Sequence, residues 1–150
     1  MDLSLLLHVL GVVVWVGGMF FAYMILRPIA ADVLEPPARL TLWTGVFGRF
    51  FPWVWASVAL ILLTGLHMLA KVGGMAAAHS VLTMLALGVV MMLIFAHVFF
   101  APYKKLKRAV AEQNWKAGGA ALAQIRMLIG INLSLGLLTI VVVFLGRALA

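Results

Sequence analysis

Four apolar stretches, each about the 20 residues a helix needs to cross a hydrocarbon layer, limit this chain to few folds. They cover residues 3–26, 51–70, 78–101 and 125–147. Of 150 residues 66% are apolar and only 10% charged, which leaves too little polar surface for a water-soluble domain. The expectation is an all-α fold: an integral membrane bundle of four transmembrane helices, forming a single domain with no room for a second. Breakers fall where the runs end. Pro52 suits the first turn of the second helix, Gly73-Gly74 interrupt the chain after it, and Pro102 stops or kinks the third. The first stretch lacks a preceding basic residue and is too long for a signal-peptide core, so it is read as a retained span.

Charge gives a direction. Arg27, Arg39, Arg49, Lys104, Lys105, Lys107, Arg108, Lys116 and Arg126 lie on one side of the spans, and Lys71 and Arg147 on the other. The richer side is expected in the cytoplasm, which makes the topology N-out/C-out and the location a bacterial inner membrane crossed several times. The basic run from Tyr103 to Arg108 then orients the protein and meets anionic lipid, and nucleic acid is not an expected partner. Helix-compatible patterns over 37–51 and 103–124 suggest interfacial helices flanking the spans.

Lipid-facing positions are uniformly apolar, so small and polar residues at steps of three and four mark inner faces. On the first helix Ser4, His8, Gly11, Trp15, Gly18 and Ala22 form such a seam. On the second it is Trp53, Ser57, Leu60, Thr64, His67 and Lys71, and on the fourth Ile129, Asn132, Gly136, Thr139, Val143 and Gly146. The third helix has two candidate faces: one with His79, Thr83, Ala86, Val90 and His97, the other with Ser80, Met84, Gly88, Met91 and Phe95.

With no cysteine, a metal here must use histidine, methionine, carboxylate or backbone oxygen. His8 and His67, on antiparallel helices, each lie roughly 7 Å below the outer surface, counted at 1.5 Å per residue. Two inward imidazoles at one depth can supply both axial ligands of a haem b, with Trp15 on the wall and Lys71 and Arg147 near its propionates. They bound an outward-side pocket better suited to a cofactor than to a continuous channel. The opposing reading makes them neutral core histidines bonded to Ser4 or Thr64. His79 is expected at the outer interface, and Met84, near the depth of His8, is a weaker candidate ligand beside it. His97 lies about 20 Å deeper, where it would form a polar cluster with Arg126 and Asn132 near the cytoplasmic face. Copper is the alternative cargo, admitted by His8, His67 and His79 with Met68, Met75 or Met84, because thioethers suit Cu(I). Asp2, Asp32, Glu35 and Glu112 all lie outside the spans, which argues against a carboxylate-driven transporter.

Leu7-His8-Val9-Leu10-Gly11 through Trp15 to Phe20 resembles the opening helix of the CopD-type membrane proteins, named for a copper-resistance component. The stretches Ala96 to Leu106 and Ile125 to Leu137 resemble the same group. The opening His, then Trp and paired glycines, also resembles the HemJ-type protoporphyrinogen oxidases, which implies a haem b ligand at His8 and porphyrinogen oxidation as a further activity. Those proteins carry a lysine in the outer part of the third helix, and this chain has none in that span. The leading expectation is a haem b-binding membrane redox protein, in the class of membrane oxidoreductases, exchanging electrons with a quinone or another membrane carrier. The alternatives are copper handling and a structural subunit. Besides lipid, a further copy of the chain is a candidate partner.

Overall fold

Each apolar stretch folds as a helix, and each helix runs beyond its apolar stretch. The computed structural model describes residues 2–148, the side chain of Arg147 excepted. Helix α1 (Leu3–Phe20) passes through a π-helical turn (Phe21–Leu26) into α2 (Arg27–Val33). Then come α3 (Pro36–Lys71), a 3₁₀ turn (Gly74–Ala76), α4 (His79–Phe100), α5 (Pro102–Ala111) and α6 (Trp115–Ala148). Four of these units are long and apolar enough to cross a membrane, and there is no strand among the described residues. Lipid offers the backbone no hydrogen bonds, so helices that satisfy their own are what this composition dictates.

The ends follow local chemistry. Asp2 caps α1, its carboxylate accepting from the Ser4 N–H at 3.0 Å. Gly73 and Gly74 take φ of +99° and +61°, left-handed values that turn the chain between α3 and the 3₁₀ turn. Pro102 stops α4 and opens α5 at its first position. Asn114 begins α6, its side chain accepting from the Ala117 N–H at 3.1 Å.

Two boundaries differ from the sequence expectation. Residues 37–51 are not a separate interfacial helix but the first part of α3, whose 36 residues extend about 54 Å against a hydrocarbon core of about 30 Å. Pro52 therefore sits mid-helix rather than in a first turn. Likewise α6 starts at Trp115, and only α5 is a separate helix in the 103–124 region. Propensity carries each helix past the edge of its apolar window, so α3, α5 and α6 build a layer at the end rich in Lys and Arg, called here the basic end.

Helix α1 packs along α3, α4 along α6, and α5 on α6. The core is concentrated toward the basic end. Trp43, Phe47 and Phe51 recur every four residues on α3, with Phe47 and Phe51 stacked at 5.0 Å. Tyr103 meets Phe51 edge-on at 4.9 Å and Phe95 does so at 5.4 Å, tying α5 and α4 to this column. Toward the other end, among the described residues, α1 before Gly11, α3 after Val58, α4 before Met91 and α6 after Gly136 have no buried residue. Many of their apolar side chains are exposed and face lipid.

The rotation of α4 is now fixed. Met91, Phe95 and Val98 are buried, so the face with Met84 and Gly88 looks inward and His97 is exposed. On α3 the inner stripe is Phe51, Val54, Ser57 and Val58. Trp53, expected on that seam, is 66% exposed, because the buried stripe follows the aromatic column and shares only Ser57 with the expected face.

Candidate metal-binding histidine at the terminal end

Glycine brings α1 and α3 together. A methyl group on Gly11 would lie 2.9 Å from Ile61 Cγ1 and 3.3 Å from the Ser57 carbonyl oxygen, so only glycine permits this approach. One turn further toward the N-terminus, His8 lies over Gly65, where an added Cβ would be 3.2 Å from the ring. The half-buried imidazole is held in this gap, with Nδ1 3.1 Å from Thr64 Oγ1.

One tautomer satisfies every group in this contact. Thr64 Oγ1 carries one hydrogen, which it donates to the Leu60 carbonyl one turn back on α3. With that hydrogen committed, the hydroxyl oxygen accepts from the ring in the tautomer protonated at Nδ1. In that tautomer Nε2 keeps its lone pair, the form in which histidine binds a metal while its other nitrogen is steadied by an oxygen.

The other expected ligands are not brought to His8. His67 is exposed, although it lies less than a turn beyond Thr64, because that turn of α3 presents Thr64 and Gly65 to α1. His79, the first residue of α4, and Lys71, the last of α3, are both exposed. Met84 is half-buried on α4, a helix that barely touches α1. Trp15 is buried two turns deeper, edge-on to Phe95 at 6.2 Å, as a core residue. The Arg147 side chain lies outside the described residues. Among the described residues no three His, Cys, Asp or Glu side chains gather into a metal-binding group. Met68, one turn beyond Thr64 and Gly65 on α3, is half-buried.

The expected polar cluster of His97, Arg126 and Asn132 does not form as a unit. His97 faces outward, and Arg126 lines a cavity with Arg27 and Arg39. Asn132 is buried, donating from Nδ2 to the Met91 carbonyl at 3.2 Å, while its Oδ1 has no partner. The cavity, of about 230 Å³, lies at the basic end and not beside His8. Its arginines come from segments far apart in sequence, and no seam within one helix reveals them.

A family model described as Copper resistance protein D matches residues 44–145, more than half of the chain. The chain belongs to the CopD family. No curated protein and no solved structure matches it. The matched part runs from α3 into α6 and includes Thr64, Met68, Met84 and Asn132, whereas α1 with His8 precedes it. In this CopD-family chain the His8 ring is thus contributed by the helix that packs against the matched part.

Proposed function

We propose that this protein handles copper ions at the end of the membrane that holds its termini, with His8 Nε2 as the donor that receives the ion. The observation that carries the reading is the Leu60–Thr64–His8 chain of hydrogen bonds, which holds the ring and supports the Nδ1–H tautomer, with Nε2 available to a metal. Membership of the CopD family supports copper as the cargo. Cu(I) favours soft donors and low coordination numbers do not require a gathered triad, so Met68 on the adjoining turn is the proposed companion ligand. The nine-to-two distribution of Lys and Arg supports an orientation with this end outside the cytoplasm, where copper would enter.

A haem b between His8 and His67 receives less support. His67 is exposed, and α1 meets α3 directly at Gly11 and Gly65, where a macrocycle between the two rings would have to stand. Redox exchange with a quinone rests on that haem and has no separate observation behind it.

Protein purified in mild detergent from cells replete in both haem and copper discriminates between the two. Stoichiometric copper with no Soret band is expected. A Soret band with sharp reduced α and β bands, in protein free of copper, would overturn the proposal.

A further inference from the structure

The cavity at the basic end is built by three segments. Arg27 comes from the turn into α2, Arg39 and Trp43 from the start of α3, and Trp115 and Arg126 from α6. No carboxylate lines it. Tyr23 closes one wall.

The sequence explains how Arg27 is held. In the π-helical turn the Arg27 N–H bonds to the Ala22 carbonyl, one residue earlier than α-helical geometry would choose. The Tyr23 carbonyl is then left for the next residue, Pro28, which has no N–H to give. Arg27 Nε fills the vacancy at 3.1 Å, and the guanidinium carbon lies 4.5 Å over the Tyr23 ring. Arg39 is steadied in the same manner, Nη1 donating to the Ala31 carbonyl at 3.4 Å. Backbone oxygens and an aromatic face thus position these cations without neutralising them.

Three guanidinium groups around one cavity match a phosphate, whose oxygens accept forked N–H pairs. About 230 Å³ is less than the roughly 300–1,000 Å³ that enclose a drug-sized ligand, so the space takes a headgroup and excludes a whole porphyrin. Trp43, Trp115 and Tyr23 are the side chains expected where headgroups meet acyl chains. We propose that this cavity binds the phosphate of an anionic phospholipid, its acyl chains running out along the lipid-facing helices and its headgroup joining α2, α3 and α6. Basic pockets between transmembrane helices suit such headgroups. This site is independent of the copper reading.

Native mass spectrometry of the detergent-purified protein, titrated with phosphatidylglycerol, tests the assignment. Phosphatidylglycerol adducts are expected at concentrations where phosphatidylcholine and inorganic phosphate give none. Arg126→Gln removes an exposed side chain without disturbing the core and should weaken the adduct about tenfold. The triple variant Arg27→Gln, Arg39→Gln, Arg126→Gln should abolish it, with helix content checked by circular dichroism. Lys104→Gln with Lys105→Gln, which removes exposed charge outside the cavity, should leave it within about twofold. Equal binding of inorganic phosphate would overturn the lipid assignment. An unchanged adduct in Arg126→Gln, or a larger loss in the lysine variant than in the arginine one, would overturn the site.

Discussion

Replacing Asn132 by leucine removes the one buried amide of α6 and should cost little. Asn132 is 3% exposed, and its two polar atoms make opposite contributions. Nδ2 donates to the Met91 carbonyl at 3.2 Å, an interhelical bond of a kind worth about 0.6 kcal/mol on average in membrane proteins and about 1.7 at most. Oδ1 is sealed from solvent without a partner, and an unsatisfied buried acceptor costs about 1–3 kcal/mol. The Met91 carbonyl keeps its place in the α4 ladder, so losing the amide does not orphan it. Leucine nearly conserves the side-chain volume. The two effects leave Asn132→Leu within about 1 kcal/mol of the parent, or more stable by up to about 2. Asn132→Ala separates polarity from packing, because it deletes the same groups but leaves a void, and should lie about 2 kcal/mol or more below the leucine variant. Reversible unfolding in mixed dodecylmaltoside and SDS micelles, followed by tryptophan fluorescence, measures both. A loss beyond about 2 kcal/mol for Asn132→Leu would refute the reasoning and show that Oδ1 has a partner in the folded protein.

Three further outcomes follow from the packing and the charges. Gly11→Leu would drive a side chain into Ile61 and the Ser57 carbonyl and should destabilise by about 1–3 kcal/mol in the same assay, whereas Gly17→Ala, with nothing within 4 Å, should be neutral or stabilising. Thr64→Val keeps His8 but removes the acceptor for its Nδ1–H, and should weaken Cu(I) binding about tenfold to a hundredfold in a competition titration. The chain has no cysteine, so single cysteines at Lys71 and Lys105 report topology: an impermeant maleimide added to cells with a permeabilised outer membrane should label Lys71→Cys and spare Lys105→Cys.

The sequence and the structure agree where one property decides the matter. Hydropathy places four helices, and Pro102 with Gly73-Gly74 ends them where expected. The inner faces of α1 and of the middle of α6 were legible because their glycines and polar residues are themselves the contact: Gly11 meets Ile61, Gly136 meets Met91 and Val16, and Asn132 is buried. On α3 the same rule holds only at Ser57, which is buried, and at Thr64, which meets His8. Its core is an aromatic column at Trp43, Phe47 and Phe51, and lipid also accepts aromatics, so the pattern of Trp53, His67 and Lys71 indicated a face that the packing does not use. The two α4 faces were equally apolar until α6 chose between them. The phosphate-sized cavity was hidden for a different reason. Arg27 and Arg39 read as topology signals and Arg126 as a neighbour of His97 and Asn132, and only the π-helical turn and the extension of α3 and α6 past the membrane core bring the three arginines together.

The copper reading is tested most directly by competition titration of purified protein with Cu(I), comparing His8→Ala, His67→Ala and His97→Ala with the parent. The account predicts stoichiometric binding that His8→Ala abolishes and that the other two variants retain within about threefold, their side chains being exposed and apart from the oriented imidazole. Parent-like binding by His8→Ala, or its loss in His67→Ala alone, would contradict it.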